Sequence, residues 1–317
     1  MSESSAPSKS ELKSKADRPL RRQVRNWILS PLIRLLRLGF GLLPWSVCQA
    51  LGVGLGLLAR RLVPRDRRRS LEHLKIAFPD LTGKEREALS RQSFRHLGTS
   101  LAELLHIWGR SPEKASAYVD VVGFEEIERI RETGKPIVVL TGHVGNWELI
   151  STANHSHGLG LAAMTRGLDD QGLQRISLDL RSHLGSEAIA RGSRASSRQM
   201  LKTLRAGGAL AMLIDQDIQT DGVWVPFFGK LAHTPTAAAD IALRLGAEVV
   251  PTFSERLQDG RHRVTFHPAL QLPEDAKEAT AIMTTAIEEQ IRRRPEQWVW
   301  MHRRWRRRPP SESLSEN

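Results

Sequence analysis

One cysteine, one tyrosine and an aromatic share of 5% remove several possibilities before any motif is read. The lone Cys48 excludes a disulfide within the chain and any metal site built from several thiolates, and it suits a reducing compartment. So few rings leave little for stacking on bases, and no nucleic-acid motif accompanies the basic charge, so no nucleic-acid partner is expected. Acidic residues are short as well, 35 Asp+Glu against 47 Lys+Arg, for a net charge of +12. That surplus calls for an acidic partner or an anionic surface. There is no P-loop, no zinc spacing and no internal repeat. Also missing is an uncharged apolar run of the roughly 20 residues that a membrane span needs.

Behind a basic, polar start comes an apolar stretch from Trp27 to Trp45, interrupted by Pro31, Arg34 and Arg37, and then a glycine-rich run from Leu51 to Leu58. On a helix Ser30, Arg34, Arg37 and Gly41 form one narrow polar stripe on a greasy cylinder. That pattern predicts a helix lying in a membrane interface, with the basic flank drawn to anionic lipids. A tilted anchor with snorkelling arginines and a buried core helix are the alternatives. A signal peptide is not expected, because the apolar run starts late and no small-residue cleavage site follows it.

Further on, Thr82-x-x-Glu85 is a capping box, and Phe94, Leu97, Leu101, Leu104 and Trp108 repeat at helical spacing up to Gly109. Apolar runs at Pro136–Leu140, Ala209–Ile214 and Glu248–Phe253 read as buried strands. Ser196–Ala206 reads as a helix stopped by Gly207-Gly208. Thr234-Pro235 reads as the start of a helix ending at Gly246. Asp259-Gly260 marks a hairpin toward Arg263–Phe266, and Glu274 to Arg294 is a last helix. Strands alternating with helices predict an α/β fold. It is a single layered domain with a mostly buried mixed sheet flanked by helices, plus the N-terminal apolar membrane-attachment segment. The expected divisions are a basic disordered start (1–26), the apolar segment (27–63), the main domain (64–308) and a disordered tail (309–317).

The chemical candidates follow the first strand directly: Gly142-His143-Val144-Gly145-Asn146-Trp147-Glu148. On one helix His143 and Glu148 would point about 140° apart, and on one strand to opposite faces. They converge only if the chain turns, which Gly142 and Gly145 allow. Asn146 is placed to cap a helix whose first turn holds Glu148. An imidazole held by a carboxylate is a general base, and backbone N–H groups near Gly145 and Asn146 are candidates for stabilising an oxyanion. Asp215 stays open between capping a loop and serving the site. Arg181 stays open between a surface arginine and a functional one. Phe227-Phe228-Gly229 reads as a packed loop, Trp298 and Trp300 as core, and Arg303 to Arg308 as a solvated tail or a patch on anionic headgroups. His155, His157, His262 and His302 show no partner spacing.

Ordered blocks along nearly the whole chain resemble the late lipid A acyltransferases, a branch of the lysophospholipid acyltransferase superfamily. They are the stretch from Arg69 to Pro79, Thr141 to Leu149 around His143 and Glu148, Arg166, Arg181 with Gly185, Asp215-Gln216-Asp217, Pro226 to Gly229, Thr234, and Pro295 to Trp305. The resemblance implies transfer of a fatty acyl chain from acyl carrier protein, an acidic partner, to a hydroxyl on a phosphorylated glycolipid. It implies His143 as base and Glu148 as its orienting partner. Arg166, Arg181 and Asn146 would contact substrate, with arginine gripping phosphate in a fork, and Asp215 would either support the site from behind or position substrate. It implies no metal or redox cofactor, and a place on the cytoplasmic face of the inner membrane. The rival readings are the same chemistry on a lysophospholipid or another glycolipid, and a non-catalytic basic protein that binds lipid or nucleic acid.

Overall fold

The segments read as strands are short, β-branched or alanine-rich, and apolar on both faces, as a sheet covered on both sides requires. In the computed structural model, which describes residues 20–165, 171–190 and 194–309, they pair into one sheet. The expected disordered start as far as residue 19, the candidate Arg166, and the tail beyond Pro309 lie outside the described residues. In chain order the strands are β1 (Val119–Val122), β2 (Ile137–Thr141), β3 (Leu161–Thr165), β4 (Glu187–Ala190), β5 (Ala209–Leu213), β6 (Gly222–Phe227), β7 (Lys230–Pro235), β8 (Glu248–Arg256) and β9 (His262–Phe266). Seven of them form a sheet in the order β1-β9-β8-β2-β5-β3-β4, while β6 and β7 form a separate hairpin. Every pair in the large sheet is parallel except β8 with β9. The mixed sheet is therefore present, with the late hairpin where Asp259-Gly260 predicted it.

All five residues of β2 are buried. Val138 and Leu140 face one apolar cluster, Ile137 and Val139 the other, and Leu210 and Ala211 of β5 divide in the same way. The first cluster is closed by α10 (Ala237–Leu245), by α11 (Ala276–Arg293) and by Trp298 and Trp300. The second is closed by α4 (Gly83–Trp108) and α6 (Glu125–Glu132), with a short α5 (Pro112–Ser116) between them and a short α7 (Ala153–His157) before β3. The capping box of α4 forms as read, with Thr82 and Glu85 exchanging hydrogen bonds. One boundary differs. Thr234 and Pro235 end β7, and Thr236 stands at the start of α10. The Thr234 hydroxyl is taken by the buried Arg304 guanidinium at 2.6 Å, so it is not free to cap.

The apolar N-terminal stretch forms α1 (Leu20–Leu42) and α2 (Trp45–Leu62), followed by α3 (Pro64–Ala77). No described helix alone is long and apolar enough to cross a membrane; α2 and α3 pass that test only as a pair bent by 95°. Cys48, Gly52 and Gly56 run along one side of α2, buried. Leu51, Leu55, Leu58 and Leu62 lie exposed on the other side. The buried side is a seam in which backbones meet: a Cβ on Gly52 would sit 2.6 Å from the Thr99 Cα, and one on Gly98 would sit 2.3 Å from the Gly52 carbonyl oxygen. Gly98→Ala should therefore lower stability by about 1–3 kcal/mol, the usual cost of overpacking, measured as a drop in urea midpoint. Gly83→Ala, which meets open space, should not. Equal midpoints for the two variants would contradict the seam.

Candidate functional site

His143 follows β2 by two residues and Asp215 follows β5 by two. These strands are parallel neighbours in which Thr141 lies beside Leu213. Carried two residues past the strand ends, the same register sets His143 beside Asp215. Polar residues at the carboxyl ends of adjacent parallel strands are where open α/β sheets gather their chemistry. The imidazole Nδ1 lies 2.7 Å from one Asp215 oxygen. The His143 backbone N–H donates to the other oxygen at 2.8 Å, and the Trp298 indole N–H donates to that same oxygen, also at 2.8 Å. Close approach depends on Gly142, where a Cβ would lie 2.9 Å from Ile287 and 3.2 Å from the Asp215 carboxyl carbon. Gly145 has φ of 62° and backs onto the Ser254 carbonyl, a turn closed to residues with a side chain.

Asp215 is buried while the His143 side chain is 20% exposed, so the imidazole faces outward from a sealed carboxylate. Burial alone would raise the Asp215 pKa. The charge of His143 and the hydrogen bonds from its ring, the Trp298 indole and the His143 backbone outweigh that and hold it well below the usual carboxylate range. A carboxylate accepting from Nδ1–H leaves Nε2 as the basic atom. The His143 ring also meets Trp147 edge-on at 4.8 Å. His302, which spacing left unassigned, lies within electrostatic reach of both residues. Burial lowers its pKa to about 4, Asp215 works against that shift and His143 adds to it.

The carboxylate that holds His143 is thus Asp215 and not Glu148. Both Glu148 oxygens are taken by Arg181, at 2.9 Å from Nη2 and 3.2 Å from Nε. The cause is local: Trp147–Thr152 is a 3-10 helix, and its first turn points Glu148 toward the guanidinium of α8 (Gln171–Leu184). Asn146 corrects two readings. It makes no side-chain cap, and its buried carboxamide donates to the Ser100 carbonyl at 3.2 Å, so it holds the loop to α4 and does not face substrate. The Gly145 N–H is spent on the Gln297 carbonyl at 2.8 Å and is not available to an oxyanion. Neither is the His143 N–H, which Asp215 accepts.

Behind the loop lies a buried polar cluster. The fully buried Glu103 of α4 binds Arg256 at 2.6 and 2.8 Å and His262 at 3.0 Å. Arg256 also donates to the Ser100 hydroxyl at 2.8 Å. Gln297 is locked to the Arg256 backbone through both ends of its amide. The basic C-terminal run is only partly a solvated surface. Arg304 is fully buried and donates to the His233 carbonyl at 2.7 Å, and Arg307 pairs with Asp217. Among the described residues no group of acidic, His and Cys side chains is placed to hold a metal ion. Sequence reasoning missed the bond between His143 and Asp215, which lie 72 residues apart, and the role of Trp298. The available signal was that two buried apolar strands are each followed at once by a polar residue; their adjacency is visible only in the sheet.

The sequence model for bacterial lipid A biosynthesis acyltransferases matches residues 15–307. The chain is 28% identical over 277 residues to a lipid A biosynthesis palmitoleoyltransferase of Escherichia coli K12, covering 86% of this chain and 89% of that protein. It is 27% identical over 293 residues to a lipid A biosynthesis lauroyltransferase of the same organism, covering 89% and 94%. A more distant relative is a phosphatidylinositol mannoside acyltransferase of Mycobacterium tuberculosis, 23% identical and covering 82% and 83%.

The Asp215 and Glu103 carboxyls both sit below their ordinary values. Groups depressed by folding contribute stability that is fully present above the unfolded-state pKa of about 4 and is lost as pH falls toward the folded value. Urea midpoints should therefore decline from about pH 5 to pH 3. The decline should be shallower in Asp215→Asn, which removes one titrating carboxylate; an equal slope would contradict the assignment.

Proposed function

The chain belongs to the bacterial lipid A biosynthesis acyltransferases and is an acyltransferase. From that premise we propose that it moves a fatty acyl chain from acyl carrier protein to a hydroxyl of a lipid A precursor, with His143 as general base. The observation that carries the mechanism is the short bond from His143 to the buried Asp215 carboxylate. Asp215 fixes the tautomer and stabilises the imidazolium as it forms. Nε2 removes the proton from the acceptor hydroxyl while that oxygen attacks the thioester carbonyl. The tetrahedral intermediate then collapses, the carbon–sulfur bond breaks, and the departing thiolate takes the proton back from His143. Glu148 and Arg181 act as one unit beside this reaction, shaping the wall where the substrate lies.

Attachment to the cytoplasmic face of the inner membrane is supported by the outward leucines of α1 and α2. Leu35, Leu38 and Leu42 are 66%, 65% and 86% exposed, more apolar surface than a water-facing helix ordinarily presents. The acidic carrier protein suits the net charge of +12. A second reading keeps the chemistry and changes the acceptor to another glycolipid, favoured by the likeness to a phosphatidylinositol mannoside acyltransferase.

The test is acyl transfer from acyl carrier protein thioester, read by mass spectrometry, with a lipid A precursor or a phosphatidylinositol mannoside as acceptor. Product on the first acceptor alone supports the proposal, and product on the second alone moves it to the other reading. His143→Ala should abolish transfer, and Asp215→Asn should cut kcat by about 10³–10⁴-fold, as removal of the orienting carboxylate does in triads. Glu148→Gln and Arg181→Gln should each lose on the order of 10- to 100-fold, and the double variant should lose no more than either. Undiminished transfer by His143→Ala would remove it as the base.

A further inference from the structure

Between α1 and α8 lies a cleft of about 510 Å³ whose chemistry the transfer reaction does not use. α8 docks on α1 through Ile176 and Leu180, which pack with Ile33 and Phe40. Three arginines line the cleft, Arg34 and Arg37 from α1 and Arg175 from α8. Among the described residues Asp179 is the one carboxylate in the lining.

The charges are arranged unevenly. Arg37 is fixed. It donates to the Trp108 carbonyl at 3.0 Å, lies 4.5 Å over the Trp108 ring, and takes Asp179 at 3.1 Å. Asp179 stands four residues beyond Arg175 on the same helix, where an ion pair between the two is the ordinary outcome. Its carboxylate has turned to Arg37 instead. Arg175 and Arg34 are left exposed, and neither meets a hydrogen-bonding or ion-pair partner among the described residues. Three cations against one anion in a shared cleft repel each other unless an anion enters. Arginine forks match the oxygens of a phosphate in particular.

The mouth of the cleft has a second character. Leu38, which lines it, continues along α1 into the exposed Leu35 and Leu42, and Leu178 is exposed on α8. An anion that fits here is one attached to something greasy. We propose that the cleft binds the phosphate of a membrane lipid, with the lipid chains against the leucines of α1. Arg34 and Arg175 hold the free oxygens, and Arg37 forms the preset wall. The site lies about 9 Å along α8 from Arg181, six residues at the helical rise. The anionic phosphate has two sources, the headgroup of an acidic bilayer phospholipid or a phosphate on the acceptor glycolipid. The inference goes beyond the transfer reaction and uses neither His143 nor Asp215, so it survives or fails independently.

The test uses the full chain, flotation with vesicles and two double variants of equal charge change. One is Arg34→Gln with Arg175→Gln, in the cleft. The other is Arg198→Gln with Arg205→Gln, on exposed surface of α9 (Arg194–Arg205). Vesicles are phosphatidylcholine alone, the same with phosphatidic acid, and the same with a phosphorylated lipid A precursor. The cleft variant should bind the vesicles that carry anionic phosphate about twenty-five-fold more weakly, at a factor of five for each basic side chain, and zwitterionic phosphatidylcholine, whose phosphate is neutralised by its own choline, unchanged. The α9 variant should match the wild type. Loss on both anionic vesicles, or on phosphatidic acid alone, assigns the cleft to anionic bilayer lipid. Loss on the glycolipid alone assigns it to the acceptor. Equal losses in the two variants, or no loss in either, overturn the proposal. Neither arginine of the cleft variant has a partner to lose among the described residues, and matching far-UV circular dichroism spectra check that folding is intact.

Discussion

A carboxylate stays charged inside a protein when hydrogen bonds fill its lone pairs. Asp215 meets that condition by drawing three parts of the chain onto one group: the strand end that carries it, the loop of His143, and the C-terminal segment of Trp298. The positions around it follow from that demand. Gly142 must lack a side chain so that the loop backbone can reach the carboxylate. Gly145 must turn the chain away again, and Gln297 anchors the turn by accepting its N–H. The indole that completes the set sits in the core and bonds to the site at once, so packing and chemistry are not separable at Trp298.

The layers were readable from the sequence because they rest on local rules. Apolar runs gave β2, β5 and β8, the capping box gave α4, and Gly246 stopped α10 in the left-handed region as read. His143 was readable for the same reason, since glycines flank it after a strand. Its partner was not. Glu148 is near in sequence and Asp215 is far, and only the pairing of β2 with β5 decides between them. Asn146 misled for a similar reason: its cap position is real, yet the Ser100 carbonyl across the interface claims its side chain. Thr234 was misread because Arg304, seventy residues away, takes its hydroxyl. In each case a long-range polar contact overrode a sound local expectation.

The N-terminal helices show how a greasy segment is kept attached without being buried. Glycines on one side let α2 press its backbone against α4, so that thin side spends little apolar surface. The leucines then face outward as a group, and Arg34 and Arg37 of α1 lie on a different line, toward α8. One helix pair therefore carries a backbone seam, an apolar face and a cationic edge, each readable as a separate periodicity.

The parallel register of β2 and β5 decides which parts of the chain the reactive pair depends on. The pairing of His143 with Asp215 is written in the sheet and not in the stretch between them. Beyond the turn at Gly145 that stretch does not set the register of β2 on β5, so the length of its connections does not decide whether His143 stands beside Asp215. Part of it holds β3, β4, α8 and α9, and so Arg181 and one wall of the cationic cleft. The fold thus separates a pair fixed by strand register from a length of chain that carries Arg181 and Arg175 and takes no part in aligning that pair.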